Sequence, residues 1–310
     1  AAQIDNGSSD ACGVAALGLD IVSFDCSNIG MNTVELSVND VNNNQATCNA
    51  FVTVNDVTDP VAVCQDIAVS LDANGTITIA DDAVNIGSTD NCSIASFAIT
   101  PSVFTCAEIG VNLVTMTVTD VVGNTDTCTV DVTVSDTTDP IAICQNSTIQ
   151  LDVNGNATIT AADINDGSTD NCTVAQLAIN NTTFDCDNLG TNNVQLTVTD
   201  GVGNHATCIG VVTVEDNINP VAVCQNITAN LDADGMATIT TSDIDNGSAD
   251  GCGTLTYALS VTDFTCADVG SQMTVLTVTD LAGNTDSCTA IVTIVDNVAP
   301  VANCLDLTIE

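Results

Sequence analysis

Apolar and polar residues alternate along this chain in short runs. Val130, Val132 and Val134 alternate with Thr129, Asp131 and Thr133, and the run Val114-Thr115-Met116-Thr117-Val118-Thr119 has the same period of two. That period puts one face of a strand in a core and the other in water. Ile67-Ala68-Val69-Ser70-Leu71 predicts a further strand, Asp72-Ala73-Asn74-Gly75 a hairpin turn, and Thr76-Ile77-Thr78-Ile79 the returning strand. Gly87-Ser88-Thr89-Asp90-Asn91 has loop composition, and strands follow at Phe97-Ala98-Ile99 and Val103-Phe104. Val121-Val122-Gly123-Asn124 turns the long strand back on itself. No helix-period segment of useful length occurs.

The pattern recurs every 80 residues. Pro60, Pro140, Pro220 and Pro300 keep that interval, as do Gly30, Gly110, Gly190 and Gly270. A period this long suits a small domain rather than a solenoid coil. The prediction is an all-β chain of tandem immunoglobulin-like β-sandwich domains. Its repeats are expected at residues 59–138, 139–218 and 219–298. Residues 1–58 match 81–138, an incomplete repeat without its first strands, and 299–310 supply the first strand of a further one. Such a layout is expected of a window on a longer array.

Composition narrows the functions open to such a chain. There is no Lys or Arg in 310 residues, and the formal charge is -40. Acidic chains poor in aromatics are often disordered, but 45% apolar content in strand register argues for folded domains here. Nucleic acids and anionic membrane surfaces are held by Lys and Arg, so neither is an expected partner. The carboxylates must be satisfied by water, backbone N–H groups or metal ions. No run of apolar residues is long enough to span a membrane. Ala1-Ala2-Gln3 does not open a signal peptide, so a targeting signal is expected outside this segment or removed.

The 16 cysteines fall in four registers on the same clock, with a single His, His205, and no CxxC pair. This reads as a disulfide framework in an oxidising, extracellular setting rather than as zinc sites. Four cysteines per repeat allow three connectivities. In an immunoglobulin-like sandwich the first and last strands run parallel and their starts share a pole. That predicts Cys64–Cys128, Cys144–Cys208 and Cys224–Cys288. The remaining cysteines are expected to close 14-residue spacings: Cys12–Cys26, Cys92–Cys106, Cys172–Cys186 and Cys252–Cys266. Cys48 and Cys304 are then expected to pair outside the segment. Two alternatives stay open: a Cys48–Cys64 type pairing throughout, or an intermolecular Cys48–Cys304 bond.

The run Val118-Thr119-Asp120-Val121-Val122-Gly123-Asn124-Thr125-Asp126-Thr127-Cys128, with Val132-Thr133-Val134-Ser135-Asp136 and Asp139-Pro140 after it, resembles the hyalin repeat (HYR). Thr199–Cys208 and Thr279–Cys288 repeat the motif, whereas Asn39 and Asn43 depart from it. The resemblance implies an immunoglobulin-like extracellular module. Depletion of Lys and Arg in such arrays looks like the stalks of giant bacterial surface adhesins, including those of gliding bacteria (SprB-type). That implies a role in adhesion or motility at the cell surface.

Candidate chemistry concentrates where one repeat meets the next. Asp56, Asp59, Asp136, Asp139, Asp216 and Asp296 lie at the junctions, and the loops with Asp170, Asn171, Asp200 and Asn204 are expected at the same pole of the following repeat. Short carboxylates and amides suit Ca²⁺, which takes six to eight oxygens. The competing reading is that they form turns and solvated linker surface. Asp72-Ala-Asn-Gly and its copies read as hairpin turns, and His205 as a surface variant. Asn156-Ala157-Thr158 and Asn226-Ile227-Thr228 are sequons that a Thr-rich chain forms by chance.

Three functions compete. A stalk or filament segment fits the equivalence of the copies and has neighbouring repeats, or laterally associated strings, as its partners. A calcium-dependent binding module or self-assembling fibre subunit is the alternative. Binding surfaces usually recruit Trp, Tyr or Arg, and only Tyr257 is present. No catalytic constellation or cofactor fingerprint appears, so no enzyme is expected.

Overall fold

The computed structural model describes residues 1–305. The last five residues of the expected segment 299–310 lie outside the described residues. The chain divides into two units, Ala1–Thr138 and the part from Asp139 onward.

In the first unit, β1 (Val14–Leu19), β2 (Gly30–Asp40) and β3 (Gln45–Val54) form a three-stranded antiparallel sheet. There follow β4 (Ile67–Ser70), β5 (Thr76–Thr78), β6 (Ile94–Thr100), β7 (Val103–Thr105), β8 (Gly110–Asp120) and β9 (Thr125–Ser135). They build a four-stranded sheet in the order β4-β9-β8-β6 and a two-stranded sheet β5-β7. β4 runs parallel to β9, with Ile67 opposite Val132 and Val69 opposite Val134. β8 and β9 are antiparallel, with Met116 opposite Cys128.

The alternation explains the core. Val114, Met116 and Val118 of β8 and Val130, Val132 and Val134 of β9 are buried, together with Phe104 and Val84. Their neighbours Thr129, Asp131 and Thr133 face water.

The second unit repeats this sandwich twice. One copy has β10 (Ser147–Gln150), β11 (Asn156–Thr158), β12 (Val174–Ile179), β13 (Thr183–Asp185), β14 (Gly190–Asp200) and β15 (His205–Glu215). The other has β16 (Ile227–Asn230), β17 (Met236–Thr238), β18 (Thr256–Leu259), β19 (Asp263–Thr265), β20 (Gly270–Thr279) and β21 (Thr285–Val295). Sheet orders β10-β15-β14-β12 and β16-β21-β20-β18 reproduce the first unit's four-stranded sheet. The protein is therefore all-β, a tandem array of immunoglobulin-like sandwiches. We call each sandwich a bead.

Two features depart from the strand-only expectation. Single helical turns α1 (Ala161–Ile164) and α2 (Thr241–Ile244) bury Ile164 and Ile244, with capping boxes between Thr160 and Asp163 and between Thr240 and Asp243. Short 3₁₀ turns at Cys26–Asn28, Cys106–Glu108, Cys186–Asn188 and Cys266–Asp268 also start on capping boxes. Each such turn begins on a cysteine.

The disulfides divide into two kinds. Cys64–Cys128, Cys144–Cys208 and Cys224–Cys288 lock the first strand of a bead to its last, with Cα separations of 6.3, 5.8 and 5.7 Å. The parallel β4–β9 pairing brings the two strand starts to one pole, which rules out a Cys48–Cys64 type of pairing. The expected 14-residue closures do not form. Cys26 is joined to Cys92 rather than Cys12, so Cys92 has no bond to Cys106. Cys186 is joined to Cys252, which excludes both Cys172–Cys186 and Cys252–Cys266. Cys106 and Cys172 are disulfide-bonded as well. Cys12, Cys48, Cys266 and Cys304 are free and exposed. The physical reason is direction: the 3₁₀ turn aims its sulfur out of its own bead and toward the loop of the next.

Candidate metal centre

The site grows from the linker after β3. Asp56 accepts a hydrogen bond from the Thr58 N–H (3.1 Å) and one from the Asn91 amide (3.2 Å), both at Oδ1. Its Oδ2 is buried and has no hydrogen-bond partner. Asp90 sits in the loop ahead of β6, where its Oδ2 accepts from the Cys92 N–H at 2.7 Å. Its Oδ1 is likewise buried and unpartnered. Asp120 ends β8 and is 2% exposed. One carboxylate oxygen from each of Asp56, Asp90 and Asp120 lies within 4.8 Å of the others.

Asp120 is held by its own turn. The N–H groups of Val122, Gly123 and Asn124 donate to Oδ1 at 2.9, 2.6 and 2.8 Å, and the Asn124 amide donates to Oδ2 at 2.7 Å. Burial opposes ionisation of Asp120, but these donors outweigh it and keep the carboxyl below its ordinary pKa. The Asn124 amide also reaches the carbonyls of Asp56 (3.4 Å) and Thr58 (3.2 Å), tying the turn to the linker. The motif Asp-x-x-Gly-Asn is thus a structural clasp that presents a fixed charge.

Three carboxylates gathered this closely repel one another, and buried polar atoms without partners are rare. The donors are all hard oxygens, because the neighbouring Cys92 sulfur is spent in its disulfide with Cys26. Such a set fits a hard divalent cation and not a thiolate metal. A cleft of about 230 Å³ borders it, lined in part by Phe24, Cys26, Asp56, Asn91 and Cys92.

Within the second unit, Asp216 takes the place of Asp56 and Asp250 that of Asp90. Ile218 N–H donates to Asp216 Oδ1 at 3.0 Å, and Cys252 N–H to Asp250 Oδ2 at 2.8 Å. Asp216 and Asp250 come within 4.8 Å of one another and of the Cys252 sulfur. That sulfur is bonded to Cys186 and is no thiolate ligand. Asp280, the counterpart of Asp120, is buried and clasped by Gly283 and Asn284, whose amide reaches the Asp216 and Ile218 carbonyls at 2.9 and 3.2 Å.

The other expected site residues fall as follows. Asp136 is 7% exposed and accepts from the Thr138 N–H at 3.0 Å. Asp170, ahead of Asn171 in its loop, accepts from the N–H groups of Cys172 and Thr173, and its Oδ1 is buried. Asp200 is clasped by Val202, Gly203 and Asn204 as Asp120 is by its own turn, and its carboxyl is lowered by the same balance of burial against donors. Asp59, Asp139 and Asp296 are exposed. The residues that sequence reasoning left out, Asp90, Asp120, Asp250 and Asp280, stand in the same 80-residue registers as Asp170 and Asp200. That register was the available signal. The hairpin at Asp72 is a turn, with Asn74 and Thr76 N–H groups donating to Oδ1 and Gly75 at φ 73°.

No protein-family model and no curated protein matches the chain. Among solved structures, it is similar to the protocadherin GammaB4 extracellular domain, at 13% identity and a TM-score of 0.30, over 91% of this chain and 61% of that one. It is also similar to Drosophila N-cadherin EC1-4, at 10% identity and a TM-score of 0.31, over 85% and 83% of the two chains. Mouse clustered PcdhgC3 EC1-3 overlaps at 12% identity and a TM-score of 0.27, over 69% and 82%. The chain spans less than two thirds of the GammaB4 domain's length. Likeness of this size adds nothing to the site, whose reading rests on the geometry above. The disulfides point to an oxidising, extracellular setting, and no helix among the described residues is long and apolar enough to cross a membrane.

Proposed function

We propose that this chain is a non-enzymatic stalk segment of a secreted cell-surface adhesin, with beads clamped by sulfur and stiffened by Ca²⁺ at their junctions. The observation that carries the reading is the doubling of devices at one place. In the first unit, the Cys26–Cys92 bond and the Asp56–Asp90–Asp120 group both fix one bead against the next. Repetition invests in joints rather than in an individual pocket. The hyalin-repeat resemblance of Thr119–Cys128 supports an extracellular adhesive setting, and support of surface motility is the finer form of the same reading. The partners are neighbouring beads, with lateral association of strings as a further possibility of the class.

Single-molecule pulling tests the stalk. With disulfides intact, a bead should release little length. After reduction, the 64 residues closed by Cys144–Cys208 should add about 220 Å at roughly 3.5 Å per residue. Equal extension before and after reduction would overturn the stalk. Calorimetry with Ca²⁺ and with chelator tests the stiffening separately, and identical transitions would overturn that part.

A further inference from the structure

We propose that the sulfur clamp regulates the acidic group beside it: closing Cys26–Cys92 raises the affinity of the Asp56–Asp90–Asp120 group for Ca²⁺, and the bound ion in turn protects that disulfide from reduction. The inference rests on the Ca²⁺ reading above and adds to it a coupling between its two devices.

The coupling runs through three consecutive residues, in which Asp90 faces the ion, Asn91 is a tether and Cys92 is the clamp. The Cys92 N–H donates to Asp90 Oδ2 at 2.7 Å, so the backbone that carries the sulfur also orients the carboxylate. That bond leaves Asp90 Oδ1 buried and without a hydrogen-bond partner. Asn91 donates its amide to Asp56 Oδ1 at 3.2 Å, which leaves Asp56 Oδ2 in the same condition. The Asn91 carbonyl lies 3.5 Å from the Cys26 sulfur. One short stretch of the loop before β6 thus touches the acidic group at one end and the disulfide at the other.

Both devices span the same two beads. Cys26 and Asp56 belong to the β1–β3 bead and its outgoing linker, whereas Asp90, Cys92 and Asp120 belong to the β4–β9 bead. An ion drawn to all three carboxylates needs the two beads in one placement, and the disulfide sets that placement beforehand. With the bond open, binding must bear the cost of ordering the loop and the beads. With it closed, that entropy has already been lost. The repelling carboxylates also stay gathered only while something fixes the loop. Both effects have the same sign, so the oxidised junction binds more tightly. Linkage makes the effect reciprocal: the ion disfavours reduction by the factor with which reduction weakens the ion.

The second unit repeats the arrangement. The Cys252 N–H donates to Asp250 Oδ2 at 2.8 Å, and the Cys252 sulfur, bonded to Cys186, lies within 4.8 Å of a carboxylate oxygen of Asp250 and of Asp216. Cys64–Cys128 is the contrast. It joins two strands of one bead, and neither cysteine adjoins Asp56, Asp90 or Asp120 in the chain. The redox step balances against a thiol reagent: two glutathione thiols open the bond, Cys26 and Cys92 take up two electrons and two protons, and the reagent leaves as its disulfide.

The test uses the full chain and Ca²⁺ itself. Nuclear magnetic resonance follows two amides through a Ca²⁺ titration: Gly123, whose N–H donates to Asp120, and Gly283, whose N–H donates to Asp280. C26S/C92S should weaken the Gly123 midpoint by about fivefold or more, the lower end of usual coupling between sites, and leave the Gly283 midpoint in place. In glutathione buffers, Ca²⁺ should shift by the same factor the ratio of squared thiol to disulfide at which Cys92 becomes half alkylated, and should move Cys64–Cys128 less. This second measurement decides if the double variant does not fold. Equal Gly123 midpoints, or equal protection of both disulfides by Ca²⁺, would overturn the coupling and spare the Ca²⁺ reading. No response of Gly123 to Ca²⁺ in the oxidised wild type would overturn both.

Discussion

Cys186 and Cys252 lie 66 residues apart in sequence, yet their Cα atoms are 5.4 Å apart and their sulfurs are joined. Cys186 opens the 3₁₀ turn of the β10–β15 bead, and Cys252 belongs to the loop before β18. Cys252 also packs against the core that contains Leu151, Phe184 and Val212. The bond therefore closes a chain loop around a junction and seals an apolar edge. By the chain-entropy estimate a loop of this length is worth about 4 kcal/mol. Cys186→Ser with Cys252→Ser should lower the unfolding free energy of the second unit by up to that amount, read from a denaturant titration followed by circular dichroism. Cys144–Cys208 and Cys224–Cys288 should persist in the variant's peptide map.

The same joint leaves no room at Gly251. A Cβ built there would lie 2.8 Å from the Val153 carbonyl and 3.0 Å from the Gly155 N–H nitrogen, both backbone atoms of the preceding hairpin. Asn occupies this register at Asn91 and Asn171, so glycine here is a local adjustment to close approach. Gly251→Ala should cost roughly 1–3 kcal/mol, the usual range for overpacking. Gly253→Ala, where nothing lies within 4 Å but φ is 71°, should be felt through backbone strain instead. Thermal melts of the two variants, with the junction disulfide intact and reduced, separate the causes. Reduction should relieve the Gly251 variant and not the Gly253 variant.

The sandwich was legible in the sequence because its two strongest signals are local. Val130, Val132 and Val134 write their burial in a period of two, and the parallel placement of β4 beside β9 follows from the fold that period implies. The Cys26–Cys92 bond was not legible from spacing, because 14 residues look like a local closure and 66 do not. What decides is the turn in which Cys26 sits. Asp25 and Asn28 form a capping box, as do Thr105 and Glu108, Asp185 and Asn188, and Thr265 and Asp268. Those pairs can be read in the sequence as a start signal, but which pole of the bead the turn occupies is a tertiary fact. The acidic group failed to emerge in full for a related reason. Asp59 follows Asp56 closely in the chain, whereas Asp90 and Asp120 reach it only through the loops of the next bead.

Ca²⁺ should act through Asp90 more than through its sequence neighbours. Its unpartnered Oδ1 is buried beside Asp56 and Asp120. If the free ion stands at a hundred times its Kd, binding adds about 2.7 kcal/mol to the stability of the folded form. Asp90→Asn should abolish the Ca²⁺-dependent rise in Tm of the first unit and raise its Tm without Ca²⁺, because one of three mutually repelling charges is gone. Asp59→Asn, at an exposed position outside the group, should leave both values unchanged. Calorimetry at fixed ionic strength checks this, since screening alone also stabilises a chain of charge -40.

Phe104 carries the core of its bead. It is fully buried on the short β7 strand, opposite Ile77 of β5. With so few large side chains per bead, the space it leaves has little to collapse into it. Phe104→Ala should cost about 3–5 kcal/mol. Hydrogen exchange on β8 and β9 should rise to match, while amides of the β10–β15 bead stay protected.

Asp126 links acid stability to the first-to-last strand lock. Its Oδ2 accepts from the Ala62 N–H at 2.9 Å, two residues before Cys64, and Asp286 does the same for Ala222. The donors Ala62 N–H and then Thr127 N–H outweigh desolvation and hold the Asp126 carboxyl below its ordinary value of 3.8. A folded-state pKa lowered in this way means the ionised form is favoured by folding. Its contribution is therefore complete above about pH 4 and is lost as pH falls through the lower folded value. Asp126→Asn keeps an acceptor but removes the charge. At pH 7 it should melt below the wild type, and the gap should narrow steadily once pH drops under 3.8. Acid also discharges the many other carboxylates and relieves their repulsion, so the absolute Tm of either protein mixes two opposing effects. The difference between the pair isolates Asp126, and a gap that stays constant from pH 7 to pH 2 would show that the charge contributes nothing to the lock.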